Sequence, residues 1–220
     1  MSDAAELAAA IERHHVTVDT QYVEPLAAYC ERLWHWNTLH NLTRHTDFDL
    51  FVTRDLVDTL RLSAQIAEGQ RVLDIGSGGG VPGLVLSILR PDLKVSMAES
   101  VTKKSAVLLS MIQSMQLAAG VYPDRAENVL KRRRFDVVTA RAVASLSRIL
   151  TWLSPVSRSW QELLLIKGPR WTEEQAEASE LGLLRNVTIS IADSWPTKGR
   201  DGESVLLRIR TKTGPPPTDG

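Results

Sequence analysis

Two acids close apolar runs in the middle of the chain, each where a strand would hand over to a turn. Asp74 ends RVLDI, and residues 72–83 read VLDIGSGGGVPG, with five glycines among the eight residues from Gly76 to Gly83. Glu99 ends the later run KVSMAE. A turn so poor in side chains either brings its backbone close to a ligand or lets a strand double back into a packed helix. Gly78 to Gly83 fits G-x-G-x-x-G, a pattern that discriminates little by itself. No Gly-Lys-Ser/Thr follows, which excludes a P-loop. The acids discriminate more. A carboxylate at Asp74 would repel the pyrophosphate of a dinucleotide and suits a ligand with an ammonium or sulfonium group. Glu99 can accept both hydroxyls of a ribose. Together they favour S-adenosylmethionine, its adenosine at Glu99 and its methionine end at the glycine turn.

The elements that position these residues follow from hydrophobic period. Residues 1–68 carry helical spacing throughout: one helix from Glu6, one from Asp19 to Leu39, and one after Asp47 with Phe51, Leu56, Val57 and Leu60. From residue 69 strands and helices alternate. RVLDI, KVSMAES, a short run at Val121-Tyr122, FDVVTARA and ELLLIKG read as strands, with helices at PGLVLSILR, Thr102–Leu117, Ser145–Val156 and TEEQAEASELG. RNVTISIAD and ESVLLRIRT close the chain as an antiparallel pair, and GPPPTDG reads as a disordered tail. The expectation is an α/β protein with a parallel, Rossmann-like sheet over residues 69–212, an N-terminal helical cap over 1–68 and a tail over 213–220. In such sheets ligands bind beyond the carboxyl ends of the strands. The loops after Ile75, Met97, Ala140 and Ile166 therefore belong on one rim.

With 26 basic and 26 acidic residues the formal net charge is zero, so no global field draws polyanions, and nucleic acid would have to meet a local basic patch. The single cysteine, Cys30, excludes an internal disulfide and a four-cysteine zinc site. The histidines show no metal-ligand spacing, and no metal is expected. The start MSDAAELAAAIERHH has no signal-peptide pattern, and no run is long enough to span a membrane. A soluble, cytoplasmic protein without a membrane partner is expected, most simply a monomer.

DIGSGGGVPG, AESVTKKS (98–105), ARAVASL (140–146), LIKG (165–168) and the N-terminal WNTLHNLT (36–43) resemble, in order and spacing, the bacterial ribosomal RNA small subunit methyltransferase G family, also called glucose-inhibited division protein B. The likeness covers roughly residues 20 to 210. It implies a class I S-adenosylmethionine-dependent methyltransferase fold and methylation of N7 of one guanine in the decoding-region loop of 16S ribosomal RNA, with the small ribosomal subunit as partner. Carried over by motif, the cofactor contacts are Gly76, Gly78 and Val81 in the turn, Glu99, then Ala126 and Glu127 after the third strand, and Arg141 in ARAVASL. Two positions depart from the family pattern. Asp55 follows Arg54 where a histidine is usual, and Ser204-Val205 follows Glu203 where Arg-His is usual, each removing positive charge near expected RNA contacts.

The acceptor atom can be approached by elimination. Pyrimidine C5 methylation needs a thiol nucleophile in the pocket, and Cys30 lies outside the sheet region. An exocyclic amine would call for an Asn/Asp-Pro-Pro-aromatic turn after the fourth strand, where Thr139-Ala140-Arg141-Ala142 stands. Ribose 2′-O methylation needs a base, for which Lys167 beside Glu203 is the candidate. Guanine N7 has an available lone pair and needs alignment only. Arg141 is then a positioning residue for the cofactor carboxylate or an RNA phosphate. Lys167, closing a buried-looking strand, contacts phosphate or guanine O6, or is a solvated strand end. Lys103 and Lys104 open a helix on the same rim and are candidates for the RNA backbone. The alternatives to N7 are a same-fold methyltransferase acting on ribose or a small molecule, and a nicotinamide dehydrogenase resting on the glycine pattern alone.

Overall fold

A computed structural model describes residues 2–197 and 202–212; the expected tail lies outside the described residues. The chain opens on α1 (Asp3–Arg13), whose first free N–H groups meet the Ser2 side chain through Ala5. Acids in its first turn and Arg13 in its last match the helix dipole. Next come α2 (Val23–Asn37) and a run made of α3 (Phe48–Leu50), a π-helical turn (Phe51–Leu56) and α4 (Val57–Ser63). The sequence period predicts this run as one helix. The π turn buries Phe51, Val52 and Leu56 together with one acid, Asp55.

From residue 71 the alternation holds. The elements are β1 (Arg71–Ile75), α5 (Gly83–Leu89), β2 (Lys94–Ala98), α6 (Thr102–Met115), β3 (Gly120–Tyr122), α7 (Ala126–Arg132), β4 (Phe135–Arg141), α8 (Leu146–Leu153), β5 (Trp160–Lys167) and α9 (Trp171–Glu180), followed by β6 (Val187–Pro196) and β7 (Glu203–Thr211). They form one seven-stranded sheet in the order β3-β2-β1-β4-β5-β7-β6. The first five strands are parallel, and β7 inserts antiparallel between β5 and β6. The order reverses between β1 and β4, so their carboxyl ends diverge into a crevice, the usual ligand position of such sheets. No helix among the described residues is long and apolar enough to cross a membrane.

Period-two alternation distributes the central strands to two faces. Leu73, Ile75, Val138, Ala140, Leu163 and Leu165 face the layer of α7, α8 and α9. Val72, Val137 and Leu164 face the other way, toward Leu62 of α4 and Leu86 of α5. A third cluster joins α1 and α2, through Leu7, Tyr29 and Leu33, to Leu84 of α5 and Leu108 of α6. The N-terminal helices therefore rest on the same helices that follow β1 and β2, and they close over the rim from one side.

A tight approach in this packing is at Gly83, the first residue of α5. A Cβ there would stand 2.6 Å from Met97 Cγ and 2.9 Å from Asp74 Oδ2. Gly83→Ala is expected to destabilise the fold by about 1–3 kcal/mol through overpacking. Urea denaturation, read as a lowered midpoint at unchanged slope, checks it.

Candidate active site

The glycine turn is shaped by backbone conformations that side chains resist. Gly76, Gly78 and Gly80 have φ of 63°, 53° and 101°. At Gly76 a Cβ would also strike Val143 at 2.8 Å, whereas at Gly78 it would meet nothing nearer than the Gly76 carbonyl at 3.9 Å. The space beside Gly78 is thus a cradle that any side chain would fill. Helix α2 holds the turn from behind: the buried Tyr29 hydroxyl donates to the Gly79 carbonyl at 3.0 Å.

Asp74 does not face this cradle, and the expectation that it meets a cationic ligand is corrected. Alternation in β1 puts Asp74 on the same face as Val72, toward α5, where it is fully buried. Its Oδ2 accepts from Gly83 N–H at 3.2 Å, and its Oδ1 from the Thr139 hydroxyl at 3.0 Å on the paired strand. Burial pushes its carboxyl up to about 6, against these hydrogen bonds, which lower it. Asp74 is a brace that ties β1, β4 and the start of α5 into the turn.

Glu99 stands at the expected strand end and is nearly buried, its Oε2 accepting from Gly78 N–H at 3.0 Å and its Oε1 from Val101 N–H at 2.8 Å. A carboxylate has about four acceptor positions, so each oxygen keeps one for a further donor. Beyond it a crevice of about 290 Å³ is lined by Gly76, Ser100, Ala126, Glu127, Val143 and Trp152, among others. A second crevice, about 240 Å³, runs along Gly76, Gly78, Val81 and Lys104 to Arg141. Gly76 borders both, so the two crevices adjoin at the start of the turn.

Arg141 is where the N-terminal helices meet the sheet. Its Nη2 lies 2.7 Å from Asp55 Oδ1 and its Nε 2.7 Å from Asp58 Oδ2, all three side chains being largely buried. Burial disfavours the guanidinium charge, yet the two carboxylates outweigh it and hold Arg141 above its ordinary range. Asp58, by contrast, is raised, since burial exceeds the help it receives from Arg141. Asp55 also contacts His45 Nδ1 at 2.8 Å, and Asp58 accepts from the Trp195 indole at 3.1 Å. Two expectations change here. Asp55 is not a surface position stripped of charge but a buried partner of Arg141, and Arg141 already has two carboxylates where a ligand carboxylate or phosphate was anticipated.

On the far side of Arg141 lies a larger cavity, about 610 Å³, bordered by Arg44, Arg54, Lys167, Glu174, Trp195 and Ser204 among others. His45, Arg141 and Ala142 line both this cavity and the glycine-turn crevice, so the two adjoin there. Ala142 is held there at φ 55°, a conformation that costs a residue with a Cβ about 1–2 kcal/mol. Lys167 is neither solvated nor beside Glu203. Its Nζ donates to the Ala144 carbonyl at 2.6 Å and to Glu174 Oε2 at 2.7 Å, because α9 turns back over the end of β5. Ser204, the second departure, does sit in this wall, its hydroxyl 2.9 Å from that of Thr197.

The remaining candidates are more peripheral. Lys103 is exposed on the first turn of α6, and Lys104 is half-buried. Cys30 is buried within α2, and burial raises its thiol pKa, so it offers no nucleophile to the rim. Trp34 packs edge-on to Phe48 and donates to the His45 carbonyl, and Trp36 stacks on His40. Reasoning from sequence missed Tyr29, Ser100, Glu174 and the His45–Asp55 pair. Only Glu174 carried a signal, as an acid in the first turn of the helix after LIKG.

A sequence model of the family described as rRNA small subunit methyltransferase G matches residues 22–195. A ribosomal RNA small subunit methyltransferase G of Rhodopirellula baltica is 42% identical over 192 residues, covering 87% of this chain and 83% of its own. One of Xanthomonas oryzae pv. oryzae is 35% identical over 216 residues, covering 96% and 99%. Among solved structures, an O-methyltransferase from Bacillus cereus in complex with SAH aligns at TM-score 0.56 and 16% identity over 84% of this chain and 91% of its own. TrmK of M. capricolum with S-adenosyl-homocysteine aligns at 0.55 and 14% identity over 72% and 70%. At that identity the likeness is one of fold, and the fold is the class I methyltransferase sheet.

Two outcomes follow from the buried charges. Arg141→Ala leaves two carboxylates uncompensated and is expected to cost about 3–5 kcal/mol of stability in urea denaturation. Asp74 has a folded pKa above its unfolded one, so its contribution is greatest below the unfolded value and is lost as pH rises through about 6. Asp74→Asn should therefore gain on the native protein between pH 5 and pH 8, by about 1 kcal/mol in paired denaturation curves.

Proposed function

The chain belongs to the rRNA small subunit methyltransferase G family, and from that premise we propose that it transfers the methyl group of S-adenosylmethionine to N7 of a guanine in the 16S RNA of the small ribosomal subunit. The observation that supports this reading most is the junction at His45, Arg141 and Ala142, where a nucleoside-sized groove adjoins a larger cavity bordered by Arg44 and Arg54.

The residues fit an adenosyl ligand. The spare acceptor positions of Glu99 suit two ribose hydroxyls, the crevice at Ser100, Ala126 and Glu127 suits a flat base, and the bare backbone at Gly78 leaves room for the chain that follows. When bound, S-adenosylmethionine supplies an electrophilic methyl group on a sulfonium sulfur. Arg44 and Arg54 bring to the border of the larger cavity the local positive charge that RNA binding needs in a chain of zero net charge. Lys103 and Lys104 extend it along the same rim.

Guanine N7 needs no proton removed, so the protein's task is to hold donor and acceptor in line and keep water out. Arg141 serves that task as a positioning residue: its two ion pairs fix the wall between donor groove and acceptor cavity. A second reading has its own observation. His45 at the junction, oriented by Asp55 at 2.8 Å, has the form of a general base with its orienting carboxylate, which an O–H acceptor would require.

Methyl transfer from labelled S-adenosylmethionine to small subunits lacking 7-methylguanosine, followed by digestion to nucleosides, separates the two. Label in 7-methylguanosine is expected. Label in a 2′-O-methylnucleoside would overturn the N7 reading and make His45 the base.

A further inference from the structure

The wall of the larger cavity carries a donor beside an acceptor, both built in. Lys167 is 8% exposed, and two of its three N–H donors are spent on Ala144 and Glu174. On Glu174 both bonds fall on one oxygen: Oε2 takes Lys167 Nζ at 2.7 Å and Leu146 N–H at 2.8 Å. Among the described residues none donates to Oε1. One ammonium proton and one carboxylate oxygen thus remain side by side at a cavity border.

From this we infer that the Lys167–Glu174 pair reads the Watson–Crick edge of the acceptor base, Lys167 donating to O6 of guanine and Glu174 Oε1 accepting from its N1–H and 2-amino group. The inference rests on the proposed N7 reaction and adds the residues that choose the base. A base taken out of its stack is recognised through this edge. Guanine presents an acceptor next to donors there. Adenine presents the reverse, a 6-amino donor next to the bare N1, and would set donor against donor at Lys167 and acceptor against acceptor at Glu174.

Position along the rim agrees. Arg141 ends β4 and Lys167 ends β5, its parallel neighbour, two strands from the glycine turn after β1. Neighbouring strands are about 4.8 Å apart, so Lys167 stands roughly 10 Å along the rim from the turn. A purine lying between them can hold O6 at Lys167 with N7, the neighbouring heteroatom on the same edge of the base, toward the junction at Arg141 and Ala142. A guanine turned the other way would present N7 to Lys167, which would occupy the lone pair that must react.

Capping α8 through Leu146 is a purely structural use of Glu174, and the test is chosen to tell the two apart. Once the methylated nucleotide is mapped, small subunits are reconstituted with inosine at that position, which removes only the 2-amino group. Native enzyme is expected to lose about 10-fold or more in kcat/KM on inosine, the size of a hydrogen bond to a charged group. In Glu174→Gln, guanosine and inosine subunits should differ by less than about 3-fold, the coupling expected of two groups in contact. Native enzyme methylating both equally overturns the inference without recourse to any variant. So does an inosine penalty of the same size in Glu174→Gln, which would leave Glu174 a structural cap. If native enzyme puts no label into 7-methylguanosine of ordinary subunits, the N7 reading fails and this assignment with it. If label appears but the two penalties are equal, only the assignment falls.

Discussion

The arrangement of the rim depends on one buried cation. Arg141 closes β4, and the acids that hold it, Asp55 and Asp58, come from the π turn and α4, more than eighty residues earlier in the chain. The contact joins the helices before the sheet to the sheet's switch point, and every cavity of interest has Arg141 or its neighbours in its wall. Burying such a cluster is expensive in desolvation, and an apolar replacement of the same shape would often be at least as stable. What the charges add is direction. Arg141 can satisfy both carboxylates in one arrangement only, and the His45 and Trp195 bonds extend that arrangement to the floor of the cavity beyond. The π turn belongs to the same device, since it carries Asp55 on its buried side, where Arg141 meets it.

The glycine turn obeys a second constraint of the same kind. Its open side must stay bare, so everything that holds it acts from behind: Asp74 through Gly83 and Thr139, Tyr29 through Gly79, and Glu99 through Gly78. Two of those three are carboxylates with few exposed atoms. Asp74 is buried deeply enough to be raised to about 6, the mark of a group placed for its hydrogen bonds rather than its charge. Glu99 differs because it retains acceptor positions between Ala98 and Ser100, which line a crevice.

Much of this was legible in the sequence. The strands appear where hydrophobic period puts them, because runs such as ELLLI are buried on both faces of a parallel sheet and admit little else, whereas α7 and the π turn at Phe51–Leu56 left no such mark. The shared rim followed from strand direction alone, and the family from the order of its motifs. Side-chain direction was harder. Asp74 was read as a ligand contact, although RVLDI already places it on the face of Val72, opposite Leu73 and Ile75, and so under a helix. Local spacing was silent about partners that topology supplies. Asp55 gains Arg141 across the fold, and Lys167 gains Glu174 because α9 folds back over β5, not Glu203 on the antiparallel neighbour. Trp36 and His40, four residues apart on a helix end, are the kind of pair that spacing does foresee.

The electrostatics of the rim then bear on the chemistry it can perform. Two cations at the centre of the rim are already paired, Arg141 with two acids and Lys167 with one. Pairing lowers the field each projects into the cavity and leaves direction as its main contribution. That suits an acceptor which becomes positively charged as the methyl arrives, because an unpaired ammonium beside N7 would oppose the developing charge. It also suits selectivity among bases, for which a donor and an acceptor fixed side by side achieve more than net charge does. Positive charge is still needed to hold the RNA backbone, and Arg44, Lys103 and Lys104 bring it from the cap and the start of α6. The division follows from the two demands: phosphate is held by charge at the edge, and the base is aligned by neutral, directed pairs at the centre.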